Sequence, residues 1–342
     1  MKKNFYTRLW FYVVFGCIPF LSDAQDIHYS NFGFSPMNIN PALTGVFPGD
    51  VRGNAAYRNQ WSDVPVDYTT FTAAGDWRIG KPSEGKIRHW SVGGIFNYDQ
   101  AGYSRLNNAQ IGLTAAYMLN VTKNGYLSAG LSATFNQRRF STQNLTFDDQ
   151  YRNKQFDPNF VSADVSVFDK SHNYTIVTPG VNYHYQKSSG RLAFDVGLGV
   201  FNLNRPNVSF NDDPLHKLPM RYSWYAGGNI PLSRHFDFLI EGMVQYQKPH
   251  REIIGGFGGR LYIRDKATKQ IALQAAVSIR GKDAFSPHFG ILYNQWRVAV
   301  NFDRNFSPFK TATNKFGGPE ISLIYIHSKV PPADCKLCPT FL

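Results

Sequence analysis

The residues able to do chemistry are few, and none of them completes a catalytic set. Cys335 and Cys338 form a C-x-x-C pair, the spacing of a redox couple or of half a metal site. A catalytic pair of that kind opens a helix, whose N-terminus lowers the thiolate pKa. Here the pair lies in a tail with Pro331, Pro332 and Pro339, and no second Cys or His pair stands nearby to complete a zinc site. It reads as a local tail disulfide or as two idle thiols. The nine His residues are scattered without an H-E-x-x-H motif. His184, between Tyr183 and Tyr185, reads as a wall or lumen residue. Asp148, Asp149 and Asp157 offer the oxygen ligands that calcium takes, but Arg152 and Lys154 share the stretch and neutralise it. A solvated loop is the expectation there. Gly255-Gly256-Phe257-Gly258-Gly259 precedes no strand-turn-helix pattern, so it reads as close strand packing rather than a phosphate cradle. There is no G-x-S-x-G, no P-loop and no credible nucleophile-base-acid set for a lipase. Neither an enzyme nor a cofactor is expected.

What must position these residues is a chain of 342 residues with 36 Lys+Arg against 24 Asp+Glu, a net charge of +12. Charged residues make up 18% and aromatics 15%, with 28 Phe and 19 Tyr, which argues against disorder. A mean hydropathy of -0.33 excludes a bundle of membrane helices. It leaves a large soluble β protein or a membrane barrel, whose strands alternate and average to a mildly polar value.

The N-terminus places Lys2 and Lys3 before an apolar run from Leu9 to Leu21 and then Ser22-Asp23-Ala24. That order predicts a secretory signal peptide over 1–24, cut after Ala24. A lipoprotein signal at Gly16-Cys17 is the weaker reading, because bulky Phe15 precedes it and the apolar run continues past it. Without Lys2, Lys3, Arg8 and Asp23 the chain is still basic. In an exported protein that charge points to anionic headgroups, lipopolysaccharide or acidic partners, and not to nucleic acid.

From Val51 onward the chain alternates with period two. Leu192 to Val200 puts a large apolar residue at every second position, with Ala193, Asp195, Gly197 and Gly199 between. Phe236, Phe238, Ile240 and Val244 alternate with Asp237, Glu241 and Gln245. Each such strand has one greasy face and one small or polar face. The spans 51–60, 66–79, 87–98, 106–120, 125–138, 174–186, 190–202, 220–230, 235–247, 252–263, 270–280, 285–294, 296–304 and 318–327 give about fourteen strands. The long connections, 140–173, 202–219 and 305–317, all follow odd-numbered strands and so emerge on one side. Outer-membrane barrels show that asymmetry, with short periplasmic turns and long outer loops. The predicted fold is therefore all-β, a single transmembrane antiparallel barrel of about fourteen strands.

Tyr57, Trp61, Trp77, Trp90, Tyr98, Tyr103, Tyr126, Trp224, Tyr246 and Trp296 fall near strand ends, where a membrane girdle would sit. Arg52, Arg58, Asp195, Asp237, Glu241, Arg280, Arg297 and Asp303 lie on the polar phase. Both charge signs thus face the lumen, as in a filled or narrow barrel rather than an ion-selective pore. Residues 25–50, rich in Asn, Pro and Gly, are long enough to fold into that lumen as a periplasmic or plug segment. The barrel is expected over 51–328 and a periplasmic tail over 329–342.

Several stretches, in order, resemble one family. They are Asn40-Pro41-Ala42-Leu43-Thr44-Gly45, then Tyr57-Arg58-Asn59-Gln60-Trp61, Asp99-Gln100-Ala101-Gly102, Phe201 to Phe210 with Leu218 to Tyr222, Phe302 to Ser307, and Gly317 to Leu323. Together they are similar to the PorP/SprF outer-membrane proteins of the type IX secretion system of Bacteroidota. Asn202 stands where that family often has His, and residues 160–172 match none of its motifs. The resemblance implies a non-enzymatic outer-membrane component that helps export and attach a large adhesin-type cargo, often in gliding motility. Such cargo is held through a C-terminal sorting domain, and periplasmic or lipoprotein secretion components are the other partners implied. The expected contact residues are Phe147, Tyr151, Arg152, Phe156, Arg205, Asn207 and Phe210, since aromatic and Arg side chains carry most binding energy. Asn40, Pro41, Ala42, Gly45, Arg58, Asn59, Gln60 and Trp61 are the family-motif and plug residues. Asn40-Pro41-Ala42 also looks like the plug of fatty-acid transport barrels, which leaves a channel for small or apolar solutes as the alternative.

Overall fold

Fourteen strands close into one antiparallel barrel, in which the first strand pairs with the last from Val51 opposite His327 to Arg58 opposite Glu320. The computed structural model describes residues 29–60, 68–80, 88–102, 105–142, 145–152, 154–163, 165, 171–188, 190–210, 213–266, 269–307 and 313–328. The expected signal peptide, Trp61, Tyr103, Cys335, Cys338 and the tail lie outside them. The barrel strands are β1 (Val51–Gln60), β2 (Tyr68–Ile79), β3 (Arg88–Ala101), β4 (Leu106–Asn120), β5 (Gly125–Arg139), β6 (Ser171–Gln186) and β7 (Ala193–Phe201). They continue as β8 (Arg221–Pro231), β9 (Phe236–Gln247), β10 (His250–Lys266), β11 (Lys269–Arg280), β12 (Ala284–Tyr293), β13 (Trp296–Asn305) and β14 (Phe316–His327).

Alternation drives the closure. Residues such as Ile111, Leu113, Phe257 and Phe289 point outward and are well exposed, as lipid-facing side chains are. Residues of the opposite phase, such as Asn97, Thr114, Arg260 and His288, point inward and are buried. A closed sheet leaves no free edge, which hydrocarbon demands. Pro179 and Pro287 sit inside strands where the ladder already breaks. The β6–β7 pairing begins at Gly180, just after Pro179, and the β12–β13 pairing skips Pro287 between Phe285 and His288. Lacking an N–H, neither proline could have donated there.

The girdle takes shape on the outer wall. Trp77, Trp90 and Trp296 are exposed at the short-turn end, and Tyr57, Trp224 and Tyr246 toward the long-loop end. Rings pair within it, Trp90 with Tyr117 at 4.9 Å and Trp296 with Tyr325 at 4.5 Å. Tyr126 is a correction. It points inward, buried in the lumen with its ring 6.0 Å from that of His184. Position near a strand end does not reveal the phase, and Tyr126 falls on the inward one. The 140–173 connection is also less irregular than the sequence indicates. It holds a 3-10 turn at Asp148–Gln150 and a small hairpin pairing Tyr151–Arg152 with Gln155–Phe156.

Residues 29–50 fill the barrel. They fold into short turns at Phe32–Phe34, Pro36–Ile39 and Pro41–Leu43. Pro36 and Pro41 open their turns, where a missing N–H costs nothing. Asn40 caps the last one by accepting the Ala42 N–H at 2.9 Å. Phe32, Ile39, Leu43 and Val46 pack into one cluster with wall residues Met118, Tyr126, Tyr225, Met243 and Ile254. Phe34 and Phe47 pack on Ala299, Ile324 and Ile326. This interior is a hydrophobic core that happens to lie inside a barrel.

Candidate functional site

The plug meets the wall in three unlike arcs. Along β3 to β7 the contact is steric and neutral. Small residues follow the ladder from strand to strand: Ser91 faces Ala116, Ala116 faces Gly130, Gly130 faces Gly180, and Gly180 faces Gly199. Asn40-Pro41-Ala42 lies on this row. A Cβ on Gly130 would fall 2.6 Å from the Pro41 and Ala42 backbone, and one on Gly180 only 1.8 Å from Asn40 Oδ1. Hydrogen bonds then fix the seat. Asn40 Nδ2 donates to Val181 O at 2.8 Å, and Ser128 Oγ donates to Ala42 O at 2.7 Å. Asn38 Nδ2 donates to Asn97 Oδ1 at 3.1 Å, and Asn97 Nδ2 in turn donates to Gln110 Oε1 at 2.6 Å.

From β11 through β14 to β2, ion pairs within the wall hold neutral plug groups by charge-assisted hydrogen bonds. At the short-turn end Arg52 grips Asp76 with two bonds of 2.9 and 2.8 Å and donates to Leu43 O at 3.0 Å. The Gly45 N–H donates to Asp76 Oδ2 at 2.7 Å, and Arg78 Nε donates to Gly45 O at 2.7 Å. Both guanidiniums lie over the Phe47 ring, at 4.7 and 4.9 Å. Gly45 has φ +78°, and a Cβ there would fall 1.8 Å from Ser91 Oγ, so a glycine is required. At the long-loop end Asp303 takes Arg58, Arg280 at 2.7 Å and Ser30 Oγ at 2.8 Å. Glu320 accepts the backbone N–H of Ser30 at 3.0 Å and of Asn31 at 3.3 Å. Tyr29 meets Thr72 Oγ1 at 2.5 Å, and burial raises its phenol pKa, which keeps the hydroxyl protonated. Removing one partner of such a buried pair costs about 3–5 kcal/mol.

The third arc, β8 to β10 with the adjoining face of β11, is loosely filled. A cavity of about 40 Å³ lies there between Phe32, Ile39 and Leu43 of the plug and Tyr225 and Glu241 of the wall.

Of the residues singled out from sequence, Asn40, Pro41 and Ala42 come together on the glycine row, with Gly45 at the ionic clamp below. Arg58 joins the other ionic cluster, while Asn59 and Gln60 are half-buried at the outer end of β1. His184 is a fully buried lumen residue with Nδ1 2.9 Å from Asp195 Oδ1. Asp76, Arg78, Gly130, Gly180 and Glu320 were missed as site residues. Their inward phase was readable, but their partner across the lumen was not.

The loop residues form a separate region. Tyr151 and Phe156 are exposed on the small hairpin, where Arg152 stacks over Phe160 at 3.4 Å. Phe147 is half-buried at the start of the preceding turn. Arg205 is exposed, and Phe210 lies under the Arg138 guanidinium at 5.5 Å. Residues 203–207 also cover the long-loop half of β6, which β7 is too short to reach. Leu203 N donates to Val177 O at 3.1 Å, and the Asn204 side chain bridges Thr175 O and Val177 N. Asn207 O meets His172 Nε2 at 2.9 Å. Asp148, Asp149 and Asp157 do not converge, and no metal-type cluster of His, Cys, Asp or Glu occurs among the described residues. At the opposite rim Arg88, Lys123, Lys187, Arg234, Arg264 and Lys266 are exposed, with Asp265 the exposed acid beside them among the described residues.

Fold and lumen together define a plugged outer-membrane β-barrel. The family model of the type IX secretion system membrane protein PorP/SprF matches residues 21–325, and the chain belongs to that family. A comparison with curated proteins gives no match. Among solved structures the chain is similar to the toluene transporter TbuX of Ralstonia pickettii. The identity is 9%, the TM-score 0.48, and 86% of this chain and 94% of that chain are covered. It is also similar to the translocator domain of autotransporter NalP from Neisseria meningitidis, at 12% identity and TM-score 0.33, covering 86% and 96%. BamA from Haemophilus ducreyi follows at 8% identity and TM-score 0.41, covering 82% and 70%. At these scores the likenesses carry no functional argument.

Proposed function

We propose that this chain is a non-enzymatic anchor of the type IX system, holding an exported cargo at the cell surface through the cargo's C-terminal sorting domain. The observation that carries this reading is the contrast between a lumen filled by residues 29–50 and outer loops that present Tyr151, Arg152, Phe156 and Arg205 to solvent. Exposed aromatic and Arg side chains are what a binding surface needs, and a sealed barrel is what an anchor needs. The basic rim at the short-turn end supports contact with anionic lipid headgroups and with acidic periplasmic secretion components. Replacing residues 141–169 with a short Gly-Ser linker leaves the barrel strands intact. The variant is expected to give a heat-resistant barrel that no longer retains cargo in affinity purification from gently solubilised outer membranes. Normal cargo retention by that variant would overturn the reading. The alternative, a channel for small or apolar solutes, requires the plug to leave, and swelling of liposomes containing the wild-type protein would favour it.

A further inference from the structure

The acids of the lumen are almost all matched. Asp76 has Arg52, Asp195 has His184 and Asn182, Asp237 has Arg191, and Asp303 has Arg58 and Arg280. Glu241, inward on β9, differs: among the described residues no hydrogen bond or ion pair reaches its carboxylate. The inward guanidiniums of β10 and β11 are engaged elsewhere. Arg260 is held by Gln274 Oε1 at 3.0 Å, and Arg280 by Asp303, Asp283 and Glu252.

The wall leaves room around this carboxylate. Glu241 faces Gly227 on one neighbouring strand and Gly256 on the other. A Cβ on Gly256 would stand 3.3 Å from Glu241 Oε1, so the side chain leans over that glycine. Two cavities flank it. One of about 40 Å³ opens toward Tyr225 and Asn229, and one of about 20 Å³ toward Asn31, Gln274 and His288. Each has room for a water-sized particle. Asn31, from the plug, lines the smaller one, and its side-chain amide has no hydrogen-bond partner among the described residues. An ionised carboxylate left alone in such a space is costly, whereas one that holds a cation is not.

We propose that Glu241, with the side-chain oxygen of Asn31, forms a luminal site for a small monovalent cation that ties the plug to β9. One carboxylate and neutral oxygens match a single positive charge. Calcium draws six to eight oxygens and usually more than one carboxylate, which this arc does not offer. The site would give the loose arc what the other two already have, a specific link between plug and wall.

The test is thermal unfolding of the purified full chain in uncharged detergent, in NaCl, KCl or choline chloride at equal ionic strength. A saturable rise in melting temperature with Na⁺ or K⁺, beyond that in choline, is expected for the wild type. Glu241→Gln should lose the difference, and Asn31→Ala should weaken it. Equal melting in all three salts would overturn the proposal, as would a Glu241→Gln variant that keeps the cation response. A response to divalent ions alone, or to pH with no cation effect, would equally reject it. Should Glu241→Gln fail to fold, the wild-type comparison and Asn31→Ala decide the matter. None of these readouts depends on cargo retention, so the site and the anchoring role stand or fall separately.

Discussion

The seat on β3 to β7 and the ionic arc from β11 to β2 hold one plug by opposite means. The first removes wall side chains, so that the Pro41 and Ala42 backbone rests on Gly130 and the Asn40 side chain on Gly180. The second brings charges inward and pairs them, with Asp303 between Arg58 and Arg280. Steric fit fixes position but tolerates no added atom. Buried charge tolerates changes of shape but no missing partner. The two arcs should therefore fail under different substitutions.

The largest effect is expected at the ionic arc. Asp303→Asn removes the carboxylate that two buried guanidiniums share, leaving Arg58 with Glu320 at 3.8 Å and Arg280 with Glu252 and Asp283, and should cost about 3–5 kcal/mol, read as a lower temperature for loss of heat-modifiable migration. Asp303→Glu, which restores the charge, should recover part of it. At the seat, Gly180→Val places atoms where Asn40 lies and should cost about 1–3 kcal/mol. Its distinguishing sign is a plug pushed from its place, seen as discrete conductance in planar bilayers where the wild type stays silent. A silent Gly180→Val barrel of unchanged stability would show that the glycine row is not a seat. Asn40→Ala removes the cap and the bond to Val181 O, and a loss of about 1–2 kcal/mol is expected from chemical denaturation. The smallest effect sharpens the comparison itself. In a double-mutant cycle of Asn40→Ala with Asp303→Asn, the coupling should stay below about 0.5 kcal/mol, because the arcs share no partner. A larger coupling would mean that the plug moves as one rigid body and that the arcs are not independent.

The same contrast explains what could be read from the chain. Arg58, Arg280 and Asp303 were placed on the polar phase by alternation alone, and all three are luminal. Asn40-Pro41-Ala42 was recognisable as a short motif of the plug. Gly130, Gly180 and Gly199 were visible only as glycines in three separate strands, and only the register sets them side by side. Tyr126 was misplaced for a related reason, since a girdle residue and a lumen residue near a strand end differ by a single step of phase. The hairpin at Tyr151–Phe156 went unseen because two-residue strands carry no periodicity to detect.

By itself the sequence determined the strand count, the two faces of each strand and the side on which the long loops emerge. Those properties are local, because a period of two needs only neighbouring residues to express itself. Which acid meets which guanidinium, where three glycines align and which carboxylate stays unmatched were decided only when the barrel closed around residues 29–50. Closure joins positions as distant as Arg58 and Asp303 or Ser30 and Glu320. Pairings of that kind depend on register and on the chain occupying the lumen, neither of which any short stretch of sequence contains.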